Sequence, residues 1–169
     1  PWQEPSNEAR GRGGKIGQDR MRFAETVTFG GSALDRAAEL RSAPDLEIGA
    51  AIVMWRGTPA INEADGSLVR ITPDHPVYKD AAPEKILLGR EEDGTILEAC
   101  DLSVWEPDAL DAAAMGTFID PTIQRHPALP GAIFAELRSS LVKLSARDSE
   151  LAATARGLFE WHRTHGFCA

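Results

Sequence analysis

The sequence predicts an α+β fold: a twisted, mostly antiparallel sheet, with helices near residue 35 and over the C-terminal third. Two observations carry this. Strand-like segments, alternating or rich in Val and Ile, lie between residues 23 and 100, whereas helical spacing dominates after residue 131. The clearest hairpin joins Ile86-Leu87-Leu88-Gly89 to Thr95–Cys100 around Glu92-Asp93-Gly94. Strands first and helices last argue against a repeating βαβ pattern.

Residues 1–20 are Gly- and Arg-rich with little to bury, and read as a disordered or upstream segment ahead of a plausible start at Met21. Phe23, Glu25, Val27 and Phe29 alternate with Ala24, Thr26 and Thr28, the pattern of a half-buried strand. Gly30-Gly31 breaks it, and Ser32 followed by Asp35 resembles a capping box for a helix through about Arg41. Ile48–Trp55 reads as a buried strand, Gly57 as its turn, and Thr58–Ile61 as an antiparallel return. Asp65-Gly66 hands over to a strand at Ser67–Thr72, and Pro73–Pro83, with three prolines, is irregular. Asp108–Met115 is a short helix or a loop. Ile133, Phe134, Leu137, Leu141 and Leu144 have helical spacing and predict a helix over 131–144. Ser145-Ala146-Arg147-Asp148 opens a last helix whose apolar face is Leu151, Ala155, Leu158, Phe159 and His162, with Gly166 as its C-terminal cap.

Composition bounds the function. The chain has 169 residues and a net charge of −8, which disfavours a phosphate-tracking duplex binder. No apolar run reaches the ~18 residues that a membrane-spanning helix needs. Two distant cysteines, Cys100 and Cys168, make no disulfide framework. The expectation is a soluble cytoplasmic protein with one main core.

Few motifs carry chemistry. Neither Gly11-Arg12-Gly13-Gly14 nor Phe29-Gly30-Gly31-Ser32 completes a phosphate-binding loop. Gly89-Arg90-Glu91-Glu92-Asp93-Gly94 has the carboxylates of a metal motif but sits on a hairpin, where a solvated surface is the simpler reading. His75 and His126 precede prolines in loops and read as exposed and inert, and Cys100 reads as a small core residue. His162, His165 and Cys168 are spaced i, i+3, i+6, and imidazole with thiolate suits zinc. Against that stands an aromatic-rich helix end with exposed histidines, which is preferred.

The run Ala153-Thr154-Ala155-Arg156-Gly157-Leu158-Phe159-Glu160-Trp161-His162-Arg163-Thr164-His165-Gly166-Phe167-Cys168 resembles the segment leading into the zinc ribbon of NADH pyrophosphatases, a family of Nudix hydrolases. Phe29-Gly30-Gly31-Ser32-Ala33-Leu34-Asp35-Arg36, with Leu40-Arg41 behind it, is similar to the opening of their N-terminal domain. The resemblance spans Phe23 to Ala169. It implies a degenerate Nudix-like domain at 21–145, a connecting helix at 146–166 and the start of a zinc ribbon at 167–169. It makes Cys168 the first ligand of that ribbon. The parent reaction it implies is hydrolysis of the pyrophosphate of NADH or NAD, or of NAD-capped RNA, to nicotinamide mononucleotide and AMP.

Structural zinc and catalytic magnesium or manganese would belong to the parent, as would a homodimer. The partner of this chain would be the catalytic Nudix domain of the same polypeptide. No Nudix box is present in these 169 residues, and no Cys-x-x-Cys completes the zinc pair. The expectation is therefore a non-catalytic front part of an NAD(H) diphosphatase, with no catalytic or cofactor-binding residues, no bound metal and no direct nucleic-acid contact. The rival expectation is a free-standing interaction or dimerisation module. A complete metallohydrolase using His162 and His165 has little support.

Overall fold

A computed structural model describes residues 34–43, 45–107, 123–140 and 143–165. The expected strand at Phe23–Phe29, the Gly30-Gly31 break, the segment Asp108–Met115, Leu141 and Cys168 lie outside the described residues.

The strands are β1 (Ala50–Trp55), β2 (Thr58–Asn62), β3 (Arg70–Ile71), β4 (Lys85–Arg90), β5 (Ile96–Asp101) and β6 (Ala132–Phe134). A short helix α1 (Leu137–Ser140) and a long helix α2 (Ala146–Thr164) follow. The sheet runs β4-β5-β1-β2-β6, with β3 pairing β1 off that path. Among the described residues, β1 and β5 pair in parallel and the other strand pairings are antiparallel.

The central position of β1 explains its unbroken apolar sequence. Ala51, Val53 and Trp55 enter one core cluster, while Ile52 and Met54 enter another on the opposite face. A strand covered on both sides has no polar face to display. The first face is closed by Val77, Leu129 and an aromatic group in which Trp55 lies 6.0 Å from Trp105 and 5.8 Å from Phe134. The second face is closed by α2, whose Leu151, Ala152 and Ala155 are fully buried against Ile52, Met54 and Leu97. Ser145 caps α2, its hydroxyl accepting from the Asp148 N–H at 3.0 Å, as the capping-box pattern predicts.

Two expected helices take other forms. The helix near residue 35 is a 3-10 turn at Ala38–Ser42. Ala37 sits in the left-handed region (φ 44°, ψ 45°) and blocks an earlier start. Asp35 instead runs antiparallel to the end of β4, where its carbonyl accepts from the Arg90 N–H at 2.7 Å. Gly89 makes this crossing possible, because a Cβ there would lie 2.3 Å from the Asp35 carbonyl oxygen.

The helix expected over 131–144 begins as β6, with Ile133 opposite Ile61 and Phe134 opposite Ala60. Phe134 belongs to the aromatic cluster, whereas Ile133 packs on the α2 side. Consecutive side chains on opposite faces are a strand property, so pairing with β2 overrides the helical spacing. Among the described residues of that span, Leu137–Ser140 is helical.

Candidate functional site

The apolar stripe of α2 runs out at Ala155. Beyond it, Leu158 and Phe159 are half-buried, and Arg156, Glu160 and Trp161–His165 are exposed. The helix rests on β4 and β1, so its polar C-terminal half leaves a cleft of 780 Å³ beside the β1–β2 turn. Buried Met54 and half-buried Phe159 supply apolar lining; Arg56, Ser103, Arg156 and Arg163 supply polar lining.

The turn is two residues, Arg56-Gly57, joining Trp55 to its partner Thr58. Both residues have positive φ, 47° and 79°. Such hairpins favour Asn or Asp followed by Gly, and Arg at the first position carries a steric penalty. Its surroundings fix it there. The Arg56 N–H donates to Ser103 Oγ at 2.8 Å, its guanidinium pairs with Glu106, and it lies 4.9 Å above the Trp55 ring. A Cβ on Gly57 would meet the Arg156 side chain at 3.7 Å, so α2 comes down close on the turn. Glu160 is held below the usual carboxylate range, chiefly by its hydrogen bonds from Arg163.

Of the residues singled out in the sequence, His162 lines this cleft and the others fall elsewhere or apart. His162 and His165 are exposed near the end of α2, with ring centroids 5.2 and 5.3 Å from that of Trp161. His165 Nδ1 lies 2.8 Å from Thr164 Oγ1 and 3.1 Å from the Trp161 carbonyl oxygen. Its local contacts are those of a helix end. Cys168 lies outside the described residues. Glu91 is an ion-pair partner of Arg70 and Arg147, and Asp93 accepts from the Thr95 N–H within the hairpin turn. Among the described residues, no three His, Cys, Asp or Glu side chains group as metal ligands do. They do not fit the zinc or the divalent catalytic ion that the resemblance implies for the parent.

Cys100 is fully buried, its thiol donating to the Ile52 carbonyl at 3.5 Å, and burial pushes its pKa up to about 12. His75 caps a 3-10 turn at Pro76–Asp80, accepting from the Val77 N–H. His126 corrects the sequence reading: it is 5% exposed, not a solvated loop residue. Its ring centroid is 4.6 Å from that of Trp105, and its Nδ1 accepts from the Ala128 N–H at 3.1 Å. Its Nε2 comes within 3.3 Å of Asp80 Oδ2 without the alignment of a hydrogen bond. Burial pushes its pKa down, outweighing the carboxylate.

Sequence reasoning missed the cleft. Its residues come from the β1–β2 turn, the segment after β5 and the end of α2, and no local pattern joins them. The positive φ at Arg56 was equally hidden, although Gly57 between two strands marked the turn itself.

Comparison with known proteins agrees with this architecture. A 36-residue stretch is 50% identical to the human "NAD(P)H pyrophosphatase NUDT13, mitochondrial", covering 21% of this chain and 10% of that protein. The match thus reaches only a small part of that relative's length. Residues 49–161, which run from the start of β1 almost to the end of α2, match the NADH pyrophosphatase-like rudimentary NUDIX domain. With a mixed sheet of six strands among the described residues, covered by one long helix, this chain belongs to the NADH pyrophosphatase-like rudimentary NUDIX domain family.

Proposed function

We propose that this chain is the N-terminal, non-catalytic part of an NAD(H) diphosphatase. Hydrolysis of the NADH pyrophosphate to nicotinamide mononucleotide and AMP falls to a catalytic Nudix domain of the same polypeptide. Magnesium or manganese would serve the reaction there, and a zinc ribbon beginning at Cys168 would join the two parts. The single observation that carries the reading is the family match over residues 49–161, whose description is itself that of a rudimentary domain. The identity with a human NAD(P)H pyrophosphatase supports the substrate class.

On this reading the domain acts as a scaffold. Its core holds α2 by the buried N-terminal half of the helix. The test compares the 169-residue chain with a polypeptide extended through a zinc ribbon and a Nudix domain. Each is incubated with NADH and magnesium or manganese, and AMP formation is followed by chromatography. The extended protein is expected to release AMP and to carry zinc by elemental analysis, and the short chain to do neither. Release of AMP by the short chain would overturn the non-catalytic assignment. An inactive extended protein would leave the interaction-module reading in its place.

A further inference from the structure

We propose that the cleft between the β1–β2 turn and the C-terminal half of α2 binds a small phosphate-bearing molecule with an aromatic ring, of the size of a mononucleotide. Size is the first argument. The cleft measures 780 Å³, within the range of small-molecule sites, and sets the apolar Met54 and Phe159 among mostly polar and charged lining residues.

Charge is the second. The chain carries −8, whereas the lining of this cleft is balanced in charge. Arg56, Arg156 and Arg163 line the cleft alongside Glu84, Asp101 and Glu160. A smaller cleft of 370 Å³, which shares His162 with it, adds Arg41 and Lys85 and no carboxylate. The linings of the two together carry five cations against three carboxylates, with Glu106 paired to Arg56 just outside them. A local excess of positive charge on an acidic chain concentrates anionic ligands.

The third argument is the kind of cation. Arginine presents a planar fork of donors matched to phosphate oxygens. Arg56 and Arg163 are already oriented by Glu106 and Glu160. Arg156 makes no ion pair among the described residues and is exposed at the cleft. Arg56 also occupies a left-handed position that Asn or Gly would fill at lower steric cost. The strain is accounted for if the guanidinium is what the position requires. Phe159, half-buried on the opposing helix, offers the flat apolar surface for a ring. This ligand site is independent of the hydrolase reading, since binding to this chain needs no catalytic domain.

The experiment titrates the 169-residue chain with AMP, adenosine and inorganic phosphate by calorimetry and by amide NMR shifts. AMP is expected to bind saturably, with shifts centred on Arg56, Gly57 and Phe159. Adenosine and phosphate should each bind at least about tenfold more weakly, as each lacks one of the two contacts. Arg156→Gln should weaken AMP about tenfold, the loss of one charge-assisted hydrogen bond. Arg163→Gln should weaken it in the same direction. Arg125→Gln, which removes an exposed partner of Glu63 elsewhere, should not. Circular dichroism melting confirms that each variant is folded. No saturation by about 10 mM AMP would overturn the proposal. So would phosphate binding as tightly as AMP, or an affinity unchanged in both arginine variants. Hydrolysis by an extended enzyme with no AMP binding here would remove this site and leave the hydrolase reading intact.

Discussion

Helix α2 is anchored at one end and loosely held at the other, and paired truncations read that gradient. Leu151 is fully buried among Ile52, Met54, Leu97, Ala152 and Ala155. Truncation to alanine removes buried methyl groups and leaves a cavity under a helix whose neighbours are rigid strands. Such substitutions cost about 2–5 kcal/mol. With β1 central in the sheet and little room to collapse, about 3–4 kcal/mol is expected for Leu151→Ala. Phe159, two turns on, is larger but only half-buried beside the cleft, so Phe159→Ala should cost about 1–2 kcal/mol despite losing more atoms. The assay is urea unfolding followed by far-UV circular dichroism, with the slope unchanged so that midpoints report stability. The refuting result is an equal or larger loss at Phe159, or a loss below about 1 kcal/mol at Leu151. Either would mean that α2 is held by its C-terminal half, and that the cleft closes in solution.

Two further outcomes follow from single close contacts. Gly89→Ala places a Cβ against the Asp35 carbonyl and a side chain at φ 154°. It should break the Arg90 N–H bond and cost about 2–3 kcal/mol, measured by the same unfolding assay; a neutral effect would show that the 34–43 segment is not held on β4. His126 titrates below its ordinary value of 6.5 because burial disfavours the imidazolium. The unfolded chain therefore takes up this proton first, so stability from the neutral ring is present above about pH 6.5 and falls as pH drops below it. His126→Asn keeps an acceptor for the Ala128 N–H and should flatten that part of the stability–pH curve. An unchanged slope between about pH 7 and 5 would refute the assignment.

The α+β class, the β1–β2 and β4–β5 hairpins and the capped start of α2 were legible in the sequence because each rests on neighbours a few residues apart. The turns at Gly57 and at Asp-Gly, the Ser145 cap and the apolar run of β1 are local devices, and the structure keeps all of them. The family resemblance was legible for a related reason: a continuous run on one helix carried it. What failed was decided by distant partners. Ile133 and Phe134 have helical spacing with Leu137, but β2 was waiting for a strand, and its ladder of hydrogen bonds outweighs a weak local preference. Ala37 sits in the left-handed region because Asp35 is engaged with Arg90, 55 residues away. His126 is buried because Trp105 and Asp80 close over a loop that looks solvated in sequence. The cleft belongs to the same category. Its arginines come from a hairpin turn and a helix about 100 residues apart, and only the packing of α2 on the sheet brings them to one surface.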